Sequence, residues 1–176
     1  MSGHNKWSKI KNKKAVTDAK KSKIFTKLLR MISVEAKIAQ GNIDSPGVRT
    51  AIEKARAANV PNDNILRAVK KASESGGENL ESVTYESYGP GGCALIIDGL
   101  TSNRNKAAAE IKHILSKNGY ELAAPGSAQW AFTKKDGEWI PNDTMELEDV
   151  DLEKLERLVD ELEDNDEVQS VYTNVS

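Results

Sequence analysis

The chain has 176 residues, of which 38 % are hydrophobic and 5 % aromatic; that suits one or two modest domains with a limited core. It has no run of about 18 apolar residues, which excludes a helical membrane span, and its single cysteine, Cys93, excludes an internal disulfide and fits a reducing compartment. The net charge of −2 conceals a division: residues 1–77 contain 17 Lys and Arg against 6 Asp and Glu, whereas residues 78–176 contain 8 against 21. Segregation of sign on this scale marks two domains with different work, a basic one over 1–77 and an acidic one over 78–176.

The opening MSGHNKWSKIKNKK is basic, and Trp7 and Ile10 are the large apolar residues of positions 2–15. It lacks the apolar segment of a secretory signal and the Arg-rich character of a transit peptide, so a cytoplasmic location is expected. A helix is predicted from Thr17-Asp18 to Gly41, with a hydroxyl cap at its start and glycine at its end. At about 100° per residue, Ile24, Phe25, Leu28, Met31, Ile32, Ala36 and Ala39 share one face and Lys20, Lys23, Lys27, Arg30 and Lys37 the other. A second helix opens at Ser45-Pro46, a cap followed by proline at the first helical position, and stops before Val60-Pro61. A third opens at Asn62-Asp63 and ends at Gly76-Gly77. The narrow, alanine-rich stripes of these helices predict a small, closely packed three-helix bundle, with Ser75–Asn79 as the linker that follows it.

Beyond residue 80 the periodicity changes. Val83–Tyr88 and Gly92–Leu100 read as strands joined by the turn-forming Gly89-Pro90-Gly91-Gly92. A helix over Asn103–Asn118 follows, closed by Gly119. Ala128, Trp130 and Phe132 alternate with Ser127, Gln129 and Ala131 as in a strand, and Asp136-Gly137 signals a hairpin before Trp139. A helix over Asp149–Asp164 places Leu152, Leu155, Val159 and Leu162 on one face, and Val168–Val175 is a final strand. The expected fold is α+β: an N-terminal three-helix bundle followed by an antiparallel sheet backed by two helices.

No catalytic site assembles from these residues. His4, His113 and Cys93 do not make the three or four ligands a zinc site needs. Cys93 lies in Gly92-Cys93-Ala94-Leu95-Ile96-Ile97, a buried-strand pattern in which cysteine serves as a small core residue, so a Cys93–His113 pair is disfavoured. Gly89-Pro90-Gly91-Gly92 leads into a strand and lacks the lysine of a phosphate loop. The carboxylates from Asp143 to Glu167 sit at helical spacings opposite a leucine stripe and read as a solvated face. The chain is therefore expected to be non-enzymatic, with no metal, cofactor or small-molecule substrate.

The first thirty residues place ten Lys and Arg against Asp18 alone, a clustering that phosphate backbones reward through counterion release. Lys6, Lys9, Lys11, Lys13, Lys14, Lys20, Lys23, Lys27 and Arg30 are the candidate phosphate contacts. Trp7, among them, is a candidate for stacking on an unpaired base; its other reading is an anchor folded back onto the bundle. Arg104 and Lys106, at the start of a helix, form a second candidate contact.

Several ordered motifs resemble those of the YebC/PmpR family. They include Gly3-His4-Asn5-Lys6-Trp7-Ser8-Lys9-Ile10-Lys11, Lys23-Ile24-Phe25-Thr26-Lys27-Leu28 and Pro61-Asn62-Asp63-Asn64-Ile65. Tyr85-Glu86-Ser87-Tyr88-Gly89-Pro90-Gly91-Gly92 and Val168-Gln169-Ser170-Val171-Tyr172-Thr173-Asn174 extend the resemblance over nearly the whole chain. The resemblance implies a probable DNA-binding transcriptional regulator. Its alternative implication is a ribosome-associated translation factor binding ribosomal RNA at proline-rich stalls, because the family includes the mitochondrial translational activator of cytochrome oxidase. Such proteins carry a small third domain inserted in the second. Here five residues, Asp136–Ile140, separate Lys135 from Pro141, so this is a short form lacking the insertion. Nucleic acid, DNA or ribosomal RNA, is the expected partner, with the ribosome as a further candidate and no membrane. A protein-interaction module docking through the acidic C-terminal helix is the other class. The third helix opens with Asn62-Asp63-Asn64 rather than base-reading Arg or Gln, which leans toward RNA or shape recognition.

Overall fold

The computed structural model describes residues 6–13, 17–74 and 79–176. It divides into a helical unit, residues 16–81 with 100–102, and an α/β unit, residues 82–99 and 103–176 together with the N-terminal segment. The α+β class, the helical bundle and the antiparallel sheet backed by two helices are all present.

Helix α1 (Lys6–Lys13) lies where no element was expected, and it groups with the α/β unit rather than with the bundle that follows it in sequence. Trp7 and Ile10, three residues apart and so on one helical face, supply its packing surface. Both join the core of the α/β unit, where Trp7 is 7 % exposed. The basic N-terminal segment and the acidic C-terminal helix thus fall in one unit, while the remaining boundary lies at residues 81–82, close to the expected residue 77.

The helical unit contains α2 (Asp18–Ile38), α3 (Pro46–Ala57) and α4 (Asn62–Ser73). The hydroxyl of Thr17 accepts from the Lys20 N–H at 3.3 Å and caps α2, and Ser45 does the same for α3 through Val48 at 3.4 Å. After α2 the chain turns through Gly41 at φ +81°, its N–H donating to the Ala36 carbonyl at 2.8 Å. Ile32 and Ala36 of α2 pack on Val48, Ala51 and Ala55 of α3 and on Ile65 and Val69 of α4, all buried. The third helix ends at Ser73, short of the expected Gly76-Gly77; residues 75–78, most of the expected linker, lie outside the described residues.

In the α/β unit, β1 (Glu81–Tyr88), β2 (Ala94–Thr101), a short β3 (Leu122–Ala123) and β6 (Val168–Thr173) form a sheet in the order β3-β1-β2-β6. The two-residue β3 is too brief for periodicity to reveal. Strand β2 is buried on both faces. Leu95 and Ile97 pack on α5 (Arg104–Lys117) and α6 (Asp149–Asp164), whereas Ala94 and Ile96 pack on Ala128, Ala131 and Phe132. A bulge shifts the β2–β6 register between Asp98 and Gly99. There a Cβ on Gly99 would stand 2.5 Å from the Glu167 carbonyl oxygen, so only glycine fits.

The second face of the sheet departs from expectation. Residues 127–131 form a tight turn that ends in a 3₁₀ segment, Gln129–Ala131, not a strand. The cause is Glu86 of β1, buried at 2 % exposure. Its carboxylate accepts the N–H groups of Gly126, Ala128 and Gln129 at 2.6, 2.7 and 2.9 Å. Three charge-assisted bonds to one side chain draw the backbone out of strand geometry and satisfy a carboxylate that burial would otherwise penalise. The chain then makes the expected hairpin, β4 (Phe132–Lys135) and β5 (Glu138–Pro141), closed by Asp136 at φ 52° and Gly137 at φ 81°. Among the described residues no helix is long and apolar enough to cross a membrane.

Candidate nucleic-acid interface

The basic residues chosen from the sequence separate into three environments. In the first, α1 lies on α6 within the α/β unit. Lys6 pairs with Asp149, and Lys11 Nζ stands 3.2 Å from Glu163 Oε1. The hydrogen bond from Lys6 to Asp149 and the charge of that carboxylate raise the Lys6 pKa. Lys6 also lines an acidic recess of about 450 Å³ with Glu146, Glu148, Asp149 and Asp151. Trp7 is buried, and the Lys11 ammonium lies 5.8 Å from its ring centroid. The ring therefore packs in the core of the α/β unit rather than on the helical bundle, and it is not an open stacking surface in this structure. Lys9 is exposed, while Lys14 and the side chain of Lys13 lie outside the described residues.

The second environment is the helical unit. Lys20 and Lys21 are exposed near the start of α2; Lys23, Lys27 and Arg30 are half-buried, and each makes an intramolecular interaction. Between α2 and α4 runs a groove of about 360 Å³. Its cations are Arg30, Lys37, Arg67 and Lys71, and no carboxylate is among its lining residues. Its apolar lining is Leu29, Ala68, Ala72 and Leu80, and Thr26, Ser33 and Asn64 add polar atoms. On α2 the lining residues recur at 26, 29, 30, 33 and 37, and on α4 at 64, 67, 68, 71 and 72, each a single helical face.

Side-chain contacts hold the groove's polar groups. The exposed Arg67 donates from Nη2 to Asn64 Oδ1 at 3.0 Å and from Nε to the Asp63 carbonyl at 3.4 Å, both on its own helix. The Ser33 hydroxyl donates to the Leu29 carbonyl at 3.0 Å, and Lys37 donates to Asn79. Arg67 and Lys71 were not among the residues singled out from the sequence. Their sequence signal is Asn64-x-x-Arg67-x-x-x-Lys71, a polar stripe at helical spacing that is sparser than the lysine cluster before residue 31.

The third environment is the start of α5. Arg104 is exposed, and its carbonyl accepts from the Tyr85 hydroxyl at 3.4 Å. Lys106 lies 3.5 Å from Glu167 and 3.9 Å from Glu110, so this second candidate contact is already paired with carboxylates.

Chemistry of other kinds finds little support. Cys93 is fully buried, and burial pushes its thiol up to about 11, opposite to what a nucleophilic thiolate requires. His113 is exposed on α5. Among the described residues no cluster of three His, Cys, Asp or Glu could hold a metal ion.

Comparison with known proteins divides the chain near residues 75–80, so that α1 falls in sequence with the helical domain although its contacts are with the α/β unit. Residues 5–75 match the TACO1/YebC protein N-terminal domain, and residues 80–137 and 135–175 match the TACO1/YebC second and third domain. The two pieces of the second match meet at the Asp136-Gly137 turn. A Chloroherpeton thalassium protein named "Probable transcriptional regulatory protein" is 37 % identical over 238 residues, covering 99 % of this chain and 95 % of its own. That alignment is longer than the 176 residues here, so the relative carries sequence with no counterpart in this chain. A Petrotoga mobilis protein of the same name is 44 % identical over 178 residues, 98 % of this chain and 70 % of its own. The crystal structure of a conserved hypothetical protein from Aquifex aeolicus superposes with a TM-score of 0.79 at 28 % identity, covering 90 % of this chain and 91 % of that one. The chain thus belongs to the TACO1/YebC family, in a short form in which the β4–β5 hairpin stands where longer members carry additional sequence.

Proposed function

We propose that this protein is a non-enzymatic regulator of gene expression that acts by binding nucleic acid through its helical unit. The observation that carries this reading is α2, whose 21 residues hold six Lys and Arg against Asp18 and Glu35 alone, beside a cation-lined groove free of carboxylates. A phosphate backbone rewards such a surface by releasing condensed counterions. The relatives' names support a role in transcription. A second reading, RNA on the ribosome in translation, draws on the first turn of α4. There Asp63 carries a carboxylate and Arg67 and Asn64 bond to each other, unlike the N-terminus of a helix that reads bases in a duplex major groove.

The test is the affinity of the full chain for labelled duplex DNA and for structured RNA across a salt series. Log affinity against log salt should fall with a slope of several units, at about 0.7–0.9 per phosphate contact. A flat dependence on both would leave the cations with a solubilising role and sink the proposal.

A further inference from the structure

We infer that the groove between α2 and α4 is a receptor for one unpaired nucleotide of a single strand, its base stacked on Arg67 and its flanking phosphates held by Lys37, Lys71 and Arg30. This deepens the nucleic-acid reading above and rests on it. Charge alone would predict a flat basic face that follows a duplex backbone. The groove differs in having depth, with about 360 Å³ at the small end of the roughly 300–1,000 Å³ typical of sites for compact ligands. Its apolar lining residues, Leu29, Ala68, Ala72 and Leu80, offer nothing to a phosphate and suit the face of a base.

Arg67 determines the choice of ligand. A guanidinium plane is a common stacking surface for unpaired bases, provided the plane is held. Here Nη2 donates to Asn64 Oδ1 and Nε to the Asp63 carbonyl, two bonds on an exposed side chain that bias the plane before a ligand arrives. Asn64 Oδ1 is used in that bond, and its Nδ2 hydrogens are donors suited to a base carbonyl or ring nitrogen. Lys71 lies one helical turn beyond Arg67, and Lys37 lies two turns beyond Arg30, at about 5.4 Å per turn. Cations are therefore spread along the groove, which fits successive phosphates of a strand. A duplex presents no base face to this geometry. An acidic peptide would match the cations and leave the guanidinium plane without a stacking partner.

The test uses the full chain and oligonucleotides of about ten residues carrying 2-aminopurine, as single strands and as duplexes. Free ADP and an octaglutamate peptide serve as competitors. Arg67→Lys keeps the charge and removes the plane; it should weaken single-strand binding about 5- to 100-fold, the range of a lost stacking contact, with the salt slope unchanged. Lys71→Ala should instead lower the slope by about 0.7. Duplex affinity should be insensitive to Arg67→Lys. Melting curves equal to wild type establish that both variants are folded. If wild-type binding is salt-dependent but Arg67→Lys is neutral, or weakens duplex and single strand alike, the receptor is refuted while the general reading stands. If binding shows no salt dependence, the general reading itself fails. Competition by free ADP at concentrations equal to the oligonucleotide would assign the groove to a free nucleotide, and competition by octaglutamate to an acidic protein; either result overturns the proposal.

Discussion

Lys11 Nζ lies 3.2 Å from Oε1 of Glu163, so the basic start of the chain is fastened to its acidic helix, within one unit. Exposed ion pairs of this kind contribute about 0–1 kcal/mol, too little to hold a helix of eight residues. Trp7, one turn before Lys11 on α1 and 7 % exposed, supplies the larger share. Trp7→Ala should therefore destabilise the protein by about 3–5 kcal/mol, the usual cost of emptying a buried indole site. Lys11→Ala should cost less than about 1 kcal/mol. Urea titrations of the two variants measure both. A wild-type midpoint for Trp7→Ala would detach α1 from the core.

Glu86 predicts a second, sharper loss. Its carboxylate is the common acceptor for the N–H groups of Gly126, Ala128 and Gln129. Glu86→Gln preserves the volume but replaces one acceptor oxygen with a donor that faces N–H groups. With hydrogen bonds to a charged group contributing roughly 1.5–3 kcal/mol each, the variant should lose at least about 3 kcal/mol. Amide exchange of Ala128 and Gln129 should quicken well beyond that of β2. Unchanged protection at these amides would show that the turn forms without the carboxylate.

These two residues also mark where the sequence is legible. The long elements follow from periodicity and caps: Thr17 opens α2, Ser45-Pro46 opens α3, and the leucine stripe of α6 spans the expected Asp149–Asp164. Local signals sufficed because each such element is specified by its own residues. Trp7 and Glu86 act across the chain. No local pattern says that a tryptophan among lysines packs near residues 152–162, or that a strand glutamate reshapes a segment forty residues later. The alternation at 127–132 looked like a strand because periodicity cannot register a bond supplied by Glu86. The groove was hidden for a similar reason, since Arg30 and Arg67 become neighbours only through the packing of α2 on α4.

Cys93 couples stability to alkaline pH. Burial raises its thiol from 9.0 to about 11 in the folded chain. Because the folded pKa is the higher one, the associated stability is complete below pH 9. It declines as the unfolded thiol ionises, and is lost as pH rises through 11. The two-unit interval corresponds to about 2–3 kcal/mol. Cys93→Ala carries its own packing cost, but the difference in unfolding free energy between it and wild type should narrow between pH 9 and 11. A difference constant across that window would mean the thiol ionises equally in both states. At pH 8 the folded thiol should also resist alkylation far longer than the urea-unfolded one.

The pairing of α1 with α6 leads to a ranking among the lysines first identified by their density. Lys6 and Lys11 face Asp149 and Glu163, and a cation beside a carboxylate has a smaller local potential with which to condense on a phosphate. Lys20 and Lys21 are exposed on α2, where Asp18 is the one carboxylate of the first turn. The double variant Lys20→Ala/Lys21→Ala should lower the salt slope of binding by roughly 1.4–1.8 units, two contacts at 0.7–0.9 each, whereas Lys6→Ala/Lys11→Ala should lower it by less than about 0.5. Parallel salt titrations against one RNA and one duplex provide the comparison, and melting curves of both variants separate folding from binding. Equal slopes for the two variants would show that nucleic acid displaces α6 from the α1 lysines. The opposite order would place the interface on the N-terminal segment rather than on the helical unit.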